Sequence, residues 1–469
     1  MKAALVLAPW YRRESPAPDL AMAAAVLKGR GHEVEVFDFN NHLFHEGRRH
    51  RDYWKFLVAN PGEGDADDFF ARTRPLFEDY AARIAAARPD AVAFKVIGHT
   101  IDNAAHLARV LKEKDPGLPV VFCGVLLPDR ALLDGFRLGQ DRWPYDWVLC
   151  GEDELALPAV LEAAARGAAP DLPCQGKVID CLDGPHVEDL DSLPHFDFTP
   201  FDLSGFRMPD RLELFMSKGC PRRCSFCVDW KTERKYRCMS GRRIYEELAH
   251  QHRLHGNRHV TFCDKTIDGD VASLREFAEA MSRPEARADL KGLTWSGDMM
   301  VRPELTPEFF GLLRAAGCGG VGFGIESGSD KVLRDMRKGF TAEQAEKTLA
   351  AARGAGIHVS VNILVGFPTE TREDFQETLA FVERTRAHCN EIRVTHLGCV
   401  VMEKADLQVQ PERFGLADAD PEAWRTSDGC NTHEERVRRF DELCGLVLRL
   451  DIPLRVNSRL TKTGRAVGR

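Results

Sequence analysis

The chain has 469 residues, 44% of them hydrophobic and 29% charged, with a net charge of −8. That length accommodates about two to four domains, each able to bury its own core. The acidic balance gives no global basic footprint for nucleic acid, and no run approaches 18 uninterrupted apolar residues, so no membrane span is expected.

Met1 to Pro9 is a short strand-like run with one lysine, too short for a secretion signal. Fourteen cysteines without such a signal imply a reducing, cytoplasmic setting. The first third then alternates strand and helix. Lys2 to Ala8 reads as a buried strand, Asp19 to Gly31 as an Ala- and Leu-rich helix ending at glycine, and Glu33 to Phe39 as a second strand. An irregular charged stretch containing Trp54 follows, then a helix over Asp67 to Ala87. Strand Ala91 to Ile97, helix Ile101 to Lys114, strands Pro119 to Cys123 and Tyr145 to Leu149, and helix Leu155 to Arg166 complete the series. Repeated β-α units predict an α/β domain over residues 1–166, a Rossmann-like (flavodoxin-like) parallel sheet with helices on both faces. Ligands on such sheets bind outside the carboxyl ends of the strands. Those ends carry Pro9, Trp10, His99, Thr100, Gly124, Gly151 and Glu152. No G-x-G-x-x-G turn is present in this domain, which disfavours a nicotinamide cofactor there.

Residues 167–210 are broken by repeated prolines and read as a linker. Its aromatics, Phe196 and Phe198 among them, are expected to pack between domains rather than touch substrate.

Strand Arg211 to Ser217 feeds a loop with three cysteines in eight residues, Cys220, Cys224 and Cys227, spaced C-x3-C-x2-C. Three thiolates so close together suit three irons of a 4Fe–4S cube, with no fourth cysteine nearby in sequence to close the site. Zinc normally takes paired C-x2-C knuckles; here only the single Cys238 and Cys263 come next. Zinc and plain buried thiols are the alternatives.

A helix over Ser240 to His255 leads into further β-α repeats. Strands are read at His259 to Cys263, Leu293 to Ser296, Gly320 to Ile325, His358 to Leu364 and Glu391 to Leu397. Helices are read at Val271 to Met281, Pro307 to Ala316, Thr341 to Gly354 and Arg372 to Arg386. Six or so units predict a partial (β/α)6 TIM-type barrel over 211–397, with chemistry at the carboxyl ends of its strands. Residues 398–469 form an α-rich C-terminal extension, with an amphipathic helix over Thr432 to Leu450 closing the barrel and substrate choice assigned to the segment.

The cysteine loop, with Phe226 before its third cysteine, resembles the cluster loop of the radical S-adenosylmethionine (radical SAM) enzymes. Gly324-Ile325-Glu326-Ser327 resembles the fourth-strand motif of that family, and Asn362 with Gly366-Phe367-Pro368 resembles its ribose and adenine contacts. The resemblance implies a 4Fe–4S cluster on Cys220, Cys224 and Cys227. It also implies S-adenosylmethionine bound among Phe226, Asp264, Ser296, Asp298, Arg302, Glu326, Ser327, Asn362, Gly366 and Pro368. Arg302 is the expected partner of the methionine carboxylate. Helix capping by Asp264 and Asp298, and a structural ion pair at Glu326, are the competing roles. Thr369 or Thr371 also suits the cap of the helix that follows.

The first domain is similar, in its order of elements and its Gly31-His32-Glu33-Val34 and Gly151-Glu152 turns, to the cobalamin-binding domain of one radical SAM subgroup. Cobalamin is therefore the implied third cofactor, with an empty remnant domain as the alternative. The D-x-H-x-x-G motif of histidine-ligated cobalamin is absent. Cys123-Gly124 stands where two glycines are frequent, which crowds the cofactor's nucleotide tail. What the resemblances imply together is a cobalamin-dependent radical SAM enzyme that methylates an unactivated carbon of a small-molecule or natural-product substrate. Cyclisation, ring contraction or rearrangement is the alternative. A low-potential electron donor such as flavodoxin or ferredoxin is the implied partner; nucleic acid is not expected.

Overall fold

A computed structural model describes residues 1–9, 14–46, 66–96, 100–125, 144–181, 184–232, 235–395, 398–418, 420–421 and 423–457. Trp10 and His99 lie outside the described residues. The chain divides into two compact units. The first takes in Met1–Glu213 and His255–Asn257, the second Leu214–Leu254 and Arg258–Arg459.

The first unit is built on strands β1 (Lys2–Leu7), β2 (Glu33–Asp38), β3 (Ala91–Lys95), β4 (Val120–Val125), β5 (Trp147–Cys150) and β6 (Val178–Asp180). They lie in the order β2-β1-β3-β4-β5-β6, and every pair is parallel. Apolar residues run unbroken along β1 because both faces are covered. Ala4 and Val6 face one core with the helices Ala66–Ala86 and Ile101–Lys114. Ala3, Leu5 and Leu7 face the other, with Pro18–Gly29 and Ala156–Ala165. Helices change face between β1 and β3, which creates the crevice where such sheets bind ligands.

Two elements depart from expectation. Phe39–Glu46 is a helix, started where the Asp38 carboxylate accepts from the Asn41 amide at 2.9 Å. Strand β6 comes from the stretch expected to be linker, so the sheet continues past residue 166. Its three residues are too short a run to show a period.

Strand β7 (Arg211–Leu214), whose last residue opens the second unit, leads to β8 (Ser217–Lys218), which pairs antiparallel with β9 (Arg237–Cys238). Strands β10 (His259–Phe262), β11 (Thr294–Met299), β12 (Cys318–Glu326), β13 (His358–Ile363) and β14 (Glu391–Thr395) follow, and β15 (Leu454–Asn457) ends the series. The sheet runs β15-β14-β13-β12-β11-β10-β7, parallel from β10 through β15. With its outer helices this is the partial barrel the repeats predict. The extension does more than close it with the helix His433–Arg449: β15 joins the sheet beside β14. Four residues just after Pro453 give too little alternation to read as a strand. Among the described residues no helix is long and apolar enough to cross a membrane.

Strand β12 shows how this barrel differs from a filled one. Gly320, Gly322 and Gly324 alternate with buried Val321, Phe323 and Ile325. A Cβ on Gly322 would sit 2.0 Å from Asp298 Oδ1 and 3.5 Å from Arg393 Nη1. The glycine face therefore leaves room for polar side chains where barrels usually pack Val, Ile and Leu.

Candidate active site

The cysteine loop is held at both ends. At its entry, the Asp264 carboxylate beyond β10 accepts from the backbone N–H of Met216 (3.1 Å) and Ser217 (2.6 Å) and from Ser217 Oγ (2.5 Å). Burial pushes the Asp264 carboxyl up to about 7 against the opposing pull of those donors. Gly219 takes φ +80, and a Cβ there would press on the Lys235 carbonyl and Tyr236 backbone at 3.3 Å. Within the loop, buried Ser225 donates through Oγ to Asp335 O (2.9 Å) and through its amide to Met336 O (3.1 Å).

Cys220, Cys224 and Cys227 line one cavity of about 300 Å³ at the carboxyl ends of the barrel strands. Phe226, Asp264, Asp298, Glu326 and Asn362 line it too, so five of the ten residues proposed for S-adenosylmethionine share a wall with the cysteines. Glu326 adopts φ +74 at a register shift between β12 and β13. A left-handed glutamate at a strand end is costly and persists only where its surroundings enforce it. Gly324 makes the turn-back feasible, since a Cβ there would lie 2.6 Å from Glu326 Oε1.

Facing Glu326 is a residue that the sequence reading missed. Lys338 Nζ lies 3.7 Å from Glu326 Oε1, and 5.9 and 5.8 Å from the ring centroids of Phe226 and Phe340. Its charge opposes the burial that raises the Cys220 and Cys224 thiols. Cys227, further from that help, is pushed by burial up to about 12. Thiols in this state bind metal by giving up protons that burial would otherwise retain. Among the described residues, no three His, Cys, Asp or Glu side chains converge as they would on a single metal ion. The donor set, three thiols from one loop facing one cavity, fits the cluster.

Five of the residues expected to contact S-adenosylmethionine are not on this wall. Ser296 bonds His259 Nε2 (3.1 Å) inside the barrel. Arg302 is engaged instead by buried Asp268 (3.5 Å) and the Gly269 carbonyl (3.3 Å). Ser327 is fully buried, sharing a hydrogen bond with Thr378 Oγ1 (3.1 Å) and accepting from the Ser329 amide (3.1 Å). Gly366 donates to Glu370 (2.8 Å), and a Cβ there would meet Arg436 at 2.5 Å. Pro368 lines a different cavity, of about 750 Å³, with residues of the extension. Besides Lys338, the sequence reading missed Arg222, Asp229, Trp230 and Lys265 on the wall. Arg222, Asp229 and Trp230 were visible as loop neighbours of the cysteines; Lys338 stands 111 positions after Cys227 and carries no local signal.

In the first unit, Pro9, Thr100, Gly124, Gly151 and Glu152 all lie at the carboxyl edge of the sheet. Gly124 and Gly151 take φ +70 and +95. Among the described residues, two buried oxygens of this unit, Ser15 Oγ and Asn103 Oδ1, have no hydrogen-bond partner, and Asn103 Nδ2 donates to Pro9 O at 3.2 Å. They suit a ligand rimmed with N–H donors, as a corrin rimmed by carboxamides is. The space above Gly124 is already taken. A Cβ there would meet Lys95 Cε at 2.7 Å, and Lys95 is buried in a bidentate pair with Asp153 (2.9 and 2.8 Å).

A loop of three cysteines on a partial barrel of parallel strands faces an acid–lysine pair, the arrangement expected of a radical SAM domain. Residues 214–382 match the Radical SAM superfamily model, and the chain carries a radical SAM domain there, with the 4Fe–4S cluster and S-adenosylmethionine that such a domain implies. The hopanoid C-3 methylase of Methylococcus capsulatus is 29% identical over 311 residues, 64% of this chain and 57% of that protein. The anaerobic magnesium-protoporphyrin IX monomethyl ester cyclase of Rubrivivax gelatinosus is 25% identical over 342 residues, 66% of this chain and 57% of that protein. The matches span little more than half the length of these two relatives. The fold is similar to that of the radical S-adenosylmethionine methyltransferase TsrM from Kitasatospora setae, crystallised with cobalamin and a 4Fe–4S cluster. Its TM-score is 0.63 at 17% identity, covering 94% of this chain and 81% of that one.

Proposed function

We propose that this protein is a cobalamin-dependent radical SAM enzyme that methylates an unactivated carbon of a small-molecule or natural-product substrate. The observation that carries the reading is the shared wall of the 300 Å³ cavity, where three thiols of one loop face Glu326, Lys338 and Asn362. Similarity to a methylase and to the fold of a cobalamin-containing methyltransferase supports the methyl-transfer part. The partial identity to a cyclase supports ring formation as a second outcome on the same architecture.

When bound, the cluster and S-adenosylmethionine supply a 5′-deoxyadenosyl radical able to take hydrogen from carbon, and cobalamin supplies the methyl group. Cys220, Cys224 and Cys227 would hold three irons of the cluster. Lys338 and Glu326 offer a cation and an anion to a ligand that itself carries a carboxylate, an ammonium and hydroxyls. Phe226 and Phe340 flank Lys338 and limit its access to water. Asn362 presents an amide from the end of β13, and Gly324 keeps the floor of the site clear. In the first unit, Ser15, Asn103 and the left-handed Gly151 would receive cobalamin. A low-potential donor supplies the electron, in the reducing cytoplasmic setting that the cysteine content favours.

The test is anaerobic reconstitution of the full chain with iron, sulfide and cobalamin, followed by reduction with S-adenosylmethionine. The expected result is one cobalamin per chain by visible absorption and formation of 5′-deoxyadenosine. Failure to bind stoichiometric cobalamin would remove the methyltransfer reading; failure to make 5′-deoxyadenosine would remove the radical SAM reading as well.

A further inference from the structure

Inside the barrel, one arginine reaches three strands. Strand register places Asp298 of β11, Gly322 of β12, Ser360 of β13 and Glu391 of β14 in one row across the sheet. The next lumen-side row toward the carboxyl ends holds Gly324, Asn362 and Arg393. The Arg393 side chain turns back onto the lower row. Its Nε donates to Glu391 Oε1 at 2.5 Å, its Nη2 donates to Ser360 Oγ at 3.0 Å, and its Nη1 lies 3.9 Å from Asp298 Oδ1. That last reach crosses β12 at Gly322, where no side chain stands in the way.

Asp298 is the member of this group that also lines the 300 Å³ cavity with the three cysteines. Its side chain is 52% exposed, so its pairing with Arg393 adds little to stability. What the pairing supplies is direction. Two arms of the guanidinium are held by β14 and β13, which fixes Nη1 as a point of positive charge on the far side of Gly322. That charge draws the Asp298 carboxylate over the glycine. One cation between two carboxylates leaves the row net negative, so Asp298 keeps charge to offer a hydrogen-bond donor in the cavity.

We propose that Arg393 is a positioning residue: acting across Gly322, it sets the Asp298 carboxylate to accept from the hydroxyls or ammonium of S-adenosylmethionine in the cluster cavity. The inference rests on the reading of Asp298 as a contact of that ligand, and it brings in two residues, Gly322 and Arg393, that carry no motif. Gly322 is the sharper of the two. Its backbone is not in the left-handed region, so space rather than conformation calls for glycine. A Cβ there would lie 2.0 Å from Asp298 Oδ1 and 3.2 Å from its Cγ, but 3.5 Å from Arg393 Nη1. The first two distances are too short and the third is ordinary contact, so a methyl group would displace the carboxylate and leave the guanidinium where it is.

The experiment uses the full chain, reconstituted anaerobically with iron, sulfide and cobalamin, and S-adenosylmethionine itself as the probe. Binding is measured by equilibrium dialysis for wild type, D298N, R393Q, R393K, G322A and D298N/R393Q. The expected result is affinity about tenfold weaker for D298N, R393Q and G322A. The double variant should be no weaker than either single one, because Arg393 acts through Asp298. R393K keeps the charge and should retain part of the affinity. G322A leaves the bonds from Arg393 to Glu391 and Ser360 in place, so it decides the matter even if R393Q fails to fold. Wild-type affinity in R393Q or G322A would overturn the proposal, as would losses that multiply in the double variant. Wild-type affinity in D298N would remove the contact on which the inference rests, and the proposal with it. A wild type that binds S-adenosylmethionine but makes no 5′-deoxyadenosine on reduction with dithionite would count against the radical SAM reading, and the binding comparison would still decide the role of Arg393.

Discussion

Both units are parallel sheets whose strand ends carry candidate ligands, yet the two edges are built differently. In the barrel, glycines alternate along β12 and the loops fold inward, so residues from the cysteine loop, β11, β12 and β13 reach one cavity. In the first unit, the room that Gly124 leaves is filled by the Lys95–Asp153 pair. A left-handed or small residue at a strand end signals that something approaches closely. In one unit that something is a cavity; in the other it includes the protein's own lysine. The cobalamin expectation therefore relies on Ser15 and Asn103, whose oxygens have no partner among the described residues, more than on β4.

The largest effect that could break this comparison is loss of the cluster. Cys224→Ala should remove cluster iron and 5′-deoxyadenosine formation together, below detection, while circular dichroism stays unchanged. Retained cleavage activity would leave the barrel cavity with no special claim over the other edge. Next come the paired charges. Glu326→Gln and Lys338→Met should each slow S-adenosylmethionine cleavage by about 100-fold, the scale seen when one preorganised electrostatic group is removed. If Lys338→Met cleaves at the wild-type rate with wild-type affinity, the acid–lysine pair is structural only.

In the first unit the expected loss is in stability. Lys95→Met leaves buried Asp153 without its lysine, and removing one partner of a buried pair costs about 3–5 kcal/mol. Burial works against the Lys95 charge, but Asp153 outweighs it and raises the lysine. Denaturant unfolding should show this loss, and Lys95→Met with Asp153→Leu should recover most of it by replacing both charges with apolar groups. Cluster content of the folded double variant should match wild type. A single variant as stable as wild type would mean that the pair is not what fills the space beside Gly124.

The alternation of strand and helix was legible because the inner strands of the first sheet, buried on two faces, read as apolar runs, and the barrel strands alternate buried with less buried residues. The cysteine loop was legible because its three candidate ligands fall within eight residues. Convergence was not. Lys338 is one cation in a chain with 64 Lys and Arg, and only the left-handed Arg337 and Gly339 on either side turn it toward Glu326. Arg302 had the right chemistry for a carboxylate, but buried Asp268 takes it first. Strands β6 and β15 were missed because three or four residues carry no period.

The smallest effect separates the two roles given to the segment after β13. Thr371 caps the helix Arg372–Thr385 in a reciprocal box: its Oγ1 accepts from the Asp374 amide at 3.2 Å, and Asp374 Oδ2 accepts from the Thr371 amide at 2.9 Å. Thr371→Ala should cost about 1 kcal/mol and leave affinity for S-adenosylmethionine unchanged. Asp374 also receives Ser329 Oγ (2.7 Å) and Lys331 Nζ (2.6 Å). Burial acts to raise its carboxyl, but these donors prevail and hold it down at about 2. A depressed acid contributes its full stabilisation above the ordinary carboxylate value and loses it as pH falls through about 2. Acid titration of unfolding should therefore show a Thr371-dependent decline below pH 3.8 and none between that value and neutrality. A shift in S-adenosylmethionine affinity with Thr371→Ala at neutral pH would instead move this turn from the scaffold to the ligand.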